Sequence, residues 1–233
     1  MTPPRHKLWI KICGMTTPEA VEASLAANVD AIGFVFAESV RKVTPAEAAS
    51  LAAPARGRVV CAAVTRHPTQ QLIDEIIEVF QPDLLQTDSD DLRGLRLPRE
   101  LQLLPVFRSE ARNLPPRLLF EGHTSGSGRT ADWNTATQLA RQTELILAGG
   151  LNATNVATAI ATVNPFGVDV SSGVEERPGI KSQTEIMRFV SAARSNQGAG
   201  LPAGCAHVRT GDRASDAPDR RRAGRARAEG DQK

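Results

Sequence analysis

Apolar runs bounded by turn residues alternate along the chain with stretches whose apolar positions recur every three to four residues. Lys7–Cys13 reads as a strand, and a helix follows from about Thr17 to Ala27, with Thr17 as cap and Pro18 in the first turn. Asp30–Phe36 is a second strand, and Thr44-Pro45 opens a helix through Ala53 in the same manner. Arg58–Val64 gives a third strand. The helix expected at Thr69–Phe80 carries Leu72, Ile73, Ile76, Ile77 and Phe80 on one face. Asp83–Gln86 is a short fourth strand, with at most a turn or two of helix after it.

Leu103–Phe107 and Arg117–Glu121 read as strands five and six, and between them Arg108 to Pro116, with Pro115-Pro116, leaves no room for a full helix. Helical pattern returns at Asp132–Arg141. Glu144–Ala148 is the seventh strand with a helix over Asn152–Val163, and Gly167–Val170 is the eighth with a closing helix over Gln183–Arg194. Eight strands, most followed by a helix, imply parallel β–α units with right-handed crossovers. They point to a closed (β/α)8 barrel of the TIM type, with a degenerate fifth helix that helps explain how it fits into about 195 residues rather than the usual ~250. An open doubly wound sheet would want a dinucleotide fingerprint after the first strand, where Gly14-Met15-Thr16 stands instead.

Composition sharpens the domain boundaries. The 233 residues are 41% hydrophobic and 23% charged, which fits one well-cored domain. Residues 196–233 hold eight Lys/Arg and five Asp/Glu, with one Leu, one Val and no Ile, Phe or Trp. Such a segment buries too little apolar surface to offset its ordering entropy, so a disordered tail is expected over 196–233 and a barrel domain over 1–195. The net charge of +2 resides in that tail; the first 195 residues hold 20 basic and 21 acidic side chains. Arg220-Arg221-Arg222 is its densest basic cluster, read as solvated rather than as a nucleic-acid patch. No apolar run reaches a bilayer span, Met1–Lys11 lacks an apolar signal core, and three cysteines make no disulfide framework. A reducing, cytoplasmic setting is expected, with neither membrane nor nucleic acid as partner.

In a barrel of this kind the chemistry lies at the C-terminal strand ends. Gly149-Gly150 after strand seven and Ser171-Ser172-Gly173 after strand eight would let backbone amides approach an anion, with a short helix N-terminus beside them. A lone Gly-Gly pair would mean only a tight turn; two such loops in these two positions favour phosphate. Cys61, within Val59–Ala63, reads as a small buried hydrophobe, whereas Cys13 ends a strand and faces the site. A thiolate there needs nearby positive charge, for which Lys11, on the same strand face, and Arg41 are candidates. Glu121 emerges from Leu118-Leu119-Phe120 into the mouth, where an apolar setting would favour its protonated form, although position alone fits an exposed loop carboxylate equally well. A thiolate base and a carboxylic acid across a phosphate site could move a carbon-bound proton while protonating a ring oxygen, which is aldose–ketose isomerisation.

Lys11-Ile12-Cys13-Gly14-Met15-Thr16, Asp30-Ala31-Ile32-Gly33-Phe34, Leu147–Asn152 and Val168–Glu175 resemble motifs of the phosphoribosylanthranilate isomerases of tryptophan biosynthesis, as does Pro178-Gly179-Ile180-Lys181. The resemblance runs from about Lys7 to Arg194 and leaves out the tail. It implies a (β/α)8 barrel with a degenerate fifth helix and an Amadori rearrangement of N-(5-phosphoribosyl)anthranilate, with no metal or cofactor. It further implies Cys13 as general base, Glu121 as general acid, and Arg41, in Glu38-Ser39-Val40-Arg41, as the partner of the anthranilate carboxylate. Gly150 and the Ser171–Gly173 loop would hold phosphate, and Lys11, Gln86, Gly128, Gly149 and Asp169 complete the expected substrate-binding set. The family's acid is usually Asp where Glu121 stands, its next loop usually reads Gly-Gly-Ser/Thr-Gly where Ser125-Gly126-Ser127-Gly128 stands, and His-Gly is common where Thr87-Asp88-Ser89 follows strand four.

The related histidine-pathway isomerase would be expected to use Asp at the end of strand one, where Cys13 stands. A pentose-phosphate epimerase would show metal-ligand histidines, and the body offers only His6, His67 and His123, the last read as an exposed loop residue. A phosphate-binding scaffold without turnover would need neither Cys13 nor Arg41. No stripe marks an oligomer interface, and the motifs suit a monomer or a homodimer.

Overall fold

The computed structural model describes residues 7–109, 113–122 and 132–195. Eight parallel strands close into a barrel in chain order, β1 pairing with both β2 and β8. They are β1 (Trp9–Cys13), β2 (Ala31–Val35), β3 (Val60–Val64), β4 (Leu84–Asp88), β5 (Gln102–Phe107), β6 (Arg117–Phe120), β7 (Glu144–Leu147) and β8 (Gly167–Val170). Helices α1 (Pro18–Ala26), α2 (Pro45–Ala52), α3 (Gln70–Glu75), α4 (Trp133–Ala140), α5 (Val156–Val163) and α6 (Gln183–Ser195) fill the crossovers. Among the described residues only a 3-10 turn, Asp91–Gly94, follows β4, and no helix follows β5.

The helix starts follow from local chemistry. Thr17 accepts from the Ala20 amide, Thr69 from Leu72, and Thr44 forms a capping box with Glu47. Two stretches depart from the expected pattern. The last turn of the Thr69–Phe80 helix is π-helical over Ile76–Phe80, although Ile73, Ile76 and Phe80 still bury the apolar face. Residues 152–155 stay outside α5 because Asn152 Oδ1 accepts from the Thr154 and Asn155 amides at 2.9 and 3.1 Å, competing with the helical ladder. Glu175–Arg177 and Ile180–Lys181 form a small antiparallel hairpin, β9–β10, too short to leave a periodic signal.

Period-two alternation divides the core. Ile10, Ile12, Ile32, Phe34, Leu118, Phe120, Leu145, Leu147, Val168 and Val170 point outward beneath the helices. Ala62, Leu84, Leu104, Val106, Leu119, Ile146 and Ala148 point into the bore, closed below by Trp9, Val60 and Phe166. The bore is packed over its lower part, and the same inward parity turns polar toward the C-terminal ends. There Lys11, Cys13, Gln86 and Asp169 are all buried. No helix among the described residues is long and apolar enough to cross a membrane. The tail expected at 196–233 and the loop residues His123, Ser125, Gly126, Ser127 and Gly128 lie outside the described residues.

Candidate active site

Lys11 sits two residues before Cys13 on the inward face of β1, beside Asp169 of β8 in the strand register. Its side chain is fully buried, and Nζ donates to Asp169 Oδ1 at 2.8 Å. Gly33 of β2 lies beside Cys13 in register, and a Cβ there would stand 3.1 Å from both Cys13 Sγ and Lys11 Nζ. The absent side chain is what brings ammonium and thiol into one space. Burial would lower the Lys11 pKa, but Asp169 outweighs it and holds the lysine above its ordinary value. Burial pushes the Cys13 thiol up; Lys11 and Lys181 pull it down, Asp169 opposes them, and the net shift is upward. Lys11 thus acts in the expected direction without winning, because burial of the thiol outweighs it and Asp169 adds to the opposition.

Lys11 and Asp169 belong among substrate-binding residues in the sequence reading, yet Lys11 has no exposed side-chain surface and Asp169 is 7% exposed. They form the floor under Cys13. Gln86, by contrast, is buried on the inward parity of β4, and its Oε1 has no hydrogen-bond partner among the described residues. A buried acceptor left unsatisfied is costly and invites a donor from a ligand.

Arg41 is held by an ion pair at the mouth. Nε and Nη2 donate to the two carboxylate oxygens of Glu175 at 2.7 and 2.8 Å, a bidentate pair. Glu175 also accepts from Lys181 Nζ at 2.8 Å, and Lys181 donates to Ser171 O at 3.0 Å. Burial would raise the Glu175 carboxyl, but Arg41 and Lys181 hold it below the usual range. Burial lowers the Lys181 ammonium, and Glu175 only partly offsets this. Ser171 Oγ donates to Cys13 O at 3.0 Å, so the loop after β8 touches both this ion network and β1.

The two glycine-bearing loops are adjacent. Gly149 and Gly150 take φ of 89° and 64°, and Asn155 Nδ2 donates to Gly150 O at 2.8 Å. A Cβ on Gly173 would stand far inside van der Waals contact with the Leu151 carbonyl oxygen, so only glycine lets the loops after β7 and β8 approach this closely. The short helix expected after β8 is a single 3-10 turn, Ser172–Val174.

Glu121 follows β6, but the apolar setting expected for it is not found. Arg108, just past β5, donates to Glu121 Oε1 at 2.6 Å and to Asp88 Oδ1 through its other terminal nitrogen. A cavity of about 340 Å³ opens beside them, lined by Arg108, Phe120, Glu121, Asp132 and Thr135. His67, Asp88 and Asp91 also converge, their ligand atoms within 4.8 Å of one another. Protein partners already engage them: Asp91 accepts from the His67 amide at 2.8 Å and ring at 2.9 Å, and from Thr87 at 2.8 Å. Glu175 and Lys181 lay within recognised motifs without a role of their own, while Arg108 sat in what reads as a connector and gave no signal.

A parallel (β/α)8 barrel whose C-terminal mouth combines a buried thiol, a carboxylate and two facing glycine loops is a barrel enzyme built for acid–base chemistry on a small anionic molecule. The family model described as N-(5'-phosphoribosyl)anthranilate (PRA) isomerase matches residues 10–192. The chain belongs to the N-(5'-phosphoribosyl)anthranilate isomerase family. It is 38% identical to the isomerase of that name from Mesorhizobium japonicum over 213 residues, covering 80% of this chain and 95% of the relative. Its fold is similar to the crystal structure of TrpF from Jonesia denitrificans, with TM-score 0.70, 34% identity, and coverage of 82% of this chain and 98% of that one. A phosphoribosyl anthranilate isomerase crystallised with reduced 1-(o-carboxyphenylamino)-1-deoxyribulose 5-phosphate matches with TM-score 0.66 and 28% identity, over 81% of this chain and all of that one.

Proposed function

We infer that this chain converts N-(5'-phosphoribosyl)anthranilate to 1-(2-carboxyphenylamino)-1-deoxyribulose 5-phosphate, the isomerisation its family performs in tryptophan biosynthesis. The observation that carries the reading onto this chain's own residues is the inward-facing Cys13 above the buried Lys11–Asp169 pair, at the end of β1. Substrate and product are isomers, so each proton taken must be returned and no electrons leave the pair. Glu121 gives its proton to the ribose ring oxygen, the C1–O bond breaks, and the amine nitrogen's lone pair forms a C1 iminium. Cys13 as thiolate then takes the C2 proton and the electrons neutralise the iminium. In the tautomerisation of the enolamine to the C2 ketone, C1 gains a proton and the C2 hydroxyl loses one, which returns Cys13 to thiolate and Glu121 to carboxylic acid.

The remaining roles follow from what each group offers. The loops at Gly149-Gly150 and Ser171-Ser172-Gly173 hold the phosphate through backbone amides, which their glycines leave open to close approach. Arg41 holds the anthranilate carboxylate on the guanidinium edge that Glu175 does not occupy. Gln86 Oε1 accepts from a sugar hydroxyl, which would satisfy it. The barrel at 1–195 carries all of these groups, and the active form is a monomer or a homodimer.

The test follows the loss of phosphoribosylanthranilate fluorescence with wild type, Cys13→Ala and Glu121→Ala. Turnover that collapses in both variants is expected. Turnover surviving Glu121→Ala would move the acid elsewhere, and a wild type that binds the phosphate ligand without turnover would sink the isomerase reading.

A further inference from the structure

Arg108 draws together three successive strands. Its Nη2 donates to Glu121 Oε1 at 2.6 Å, and its Nη1 donates to Asp88 Oδ1. Backbone register fixes where these groups start: Asp88 lies beside Val106 of β5, and Phe107 beside Phe120 of β6. Arg108 and Glu121 each leave their strand one residue later and meet at the rim. All three side chains are at least four-fifths buried, with exposures of 20%, 14% and 16% for Arg108, Asp88 and Glu121. At that burial the contacts are screened less than surface ion pairs.

A guanidinium is planar and its donors are rigidly spaced. With one terminal nitrogen on each carboxylate, the plane of Arg108 is fixed and the residue cannot swing to follow a moving Glu121. The consequence for Glu121 is geometric. A glutamate side chain has three torsions, and its last two decide where the second carboxylate oxygen points. Pinning Oε1 removes most of that freedom and sets the direction of Oε2.

We propose that Arg108 is the positioning residue for the Glu121 acid and that Asp88 anchors Arg108. The proposal rests on the reading of Glu121 as proton donor to the sugar ring oxygen. An acid on a flexible arm is useful only when held to within a fraction of an ångström of the reacting atom, since a displacement near 1 Å costs on the order of 100-fold in rate. Backbone placement alone does not hold a three-torsion side chain that closely. The bridge from β5 supplies such a constraint. Asp88 shares the guanidinium charge, so Arg108 grips Glu121 as an oriented donor rather than as a lone counter-ion.

The experiment uses the full chain and the fluorescence assay with Arg108→Ala, Arg108→Lys, Asp88→Asn, Glu121→Ala and the double variant Arg108→Ala/Glu121→Ala. Arg108→Ala is expected to lower kcat about 10- to 100-fold with KM nearly unchanged. Arg108→Lys should recover little, because an ammonium is a point donor that cannot bridge two carboxylates in a plane. Millimolar methylguanidinium should restore part of the Arg108→Ala rate, which a purely structural role would not allow. The double variant should be no slower than Glu121→Ala alone. Should Arg108→Ala fold poorly, Asp88→Asn carries the same comparison, with a smaller kcat loss and an unchanged melting temperature.

Three results would overturn the proposal: an Arg108→Ala kcat equal to wild type, a loss confined to KM, or a double-variant loss equal to the product of the single losses. The second would make Arg108 a substrate ligand instead. A fully active Glu121→Ala would remove the acid assignment and this proposal with it. An inactive Glu121→Ala beside an unaffected Arg108→Ala would remove this proposal alone.

Discussion

The Lys11–Asp169 pair is the most consequential electrostatic feature of the barrel, and its cost of rupture can be worked out. Lys11 is fully buried and the Asp169 side chain is 9% exposed, with 2.8 Å between nitrogen and oxygen. Replacing Lys11 with Met leaves a buried carboxylate without its cation, a change that costs about 3–5 kcal/mol. Against a total stability of about 5–15 kcal/mol, that is a large fraction. With a urea slope of about 2–3 kcal/mol/M, the midpoint should fall by about 1–2.5 M. Asp169→Leu should cost a similar amount by stranding the ammonium. The double variant Lys11→Met/Asp169→Leu removes both charges and should lie within about 1–2 kcal/mol of wild type. Urea unfolding of all four proteins measures the coupling. Single losses below ~1 kcal/mol, or a double loss equal to their sum within about 0.5 kcal/mol, would refute the claim that the two charges are desolvated and mutually dependent. Iodoacetamide labelling of Cys13 adds a second reading. Lys11→Met removes the cation that most favours the thiolate, so labelling at a given pH should slow.

The remaining expectations concern the thiols and the space around them. Burial holds Cys13 above the ordinary thiol value of 9.0, so its labelling rate in wild type should keep rising with pH through a midpoint above 9.0; a midpoint below it would contradict the placement. Cys61 is pushed up to about 11 by burial. The unfolded chain releases that proton near 9.0 while the folded chain keeps it to about 11, so the stabilising preference for the folded form is intact below 9.0 and is lost as pH rises through about 11. Cys61→Ala should therefore flatten the fall in urea midpoint across that window, and an unchanged slope would show that Cys61 does not carry it. Gly33→Ala places a Cβ 3.0–3.1 Å from Lys11 and Cys13, so both must move by several tenths of an ångström. A loss of about 10- to 100-fold in kcat/KM with a cooperative unfolding transition is expected, and wild-type kinetics would show that the pair tolerates displacement. Glu175→Gln should raise KM for the natural substrate more than for a decarboxylated analogue, because it loosens Arg41. Equal effects on both substrates would detach Arg41 from the carboxylate.

The chain by itself determined whatever depends on neighbours in sequence. Period-two alternation in Val168-Asp169-Val170 already separates outward from inward residues, and Thr17-Pro18 and Thr44-Pro45 already start their helices. Counting strands then gives a barrel, and a barrel puts Cys13, Gln86, Glu121 and Ser171 at one mouth. Asn152 and Asn155 mark where this local reasoning stops, since their side chains bind the backbone and delay α5.

Only the tertiary structure decided which charges meet. Lys11 and Asp169 are 158 positions apart, and Arg41 and Glu175 are 134 apart. Each pair exists because closing the barrel sets β8 beside β1, or because the β9–β10 hairpin folds back toward the loop after β2. The same closure buried Cys13 deeply enough to outweigh Lys11, and it set Arg108 between Asp88 and Glu121. Sequence carries the parity of each strand, but the sign and strength of the field at the mouth depend on partners that closure alone selects.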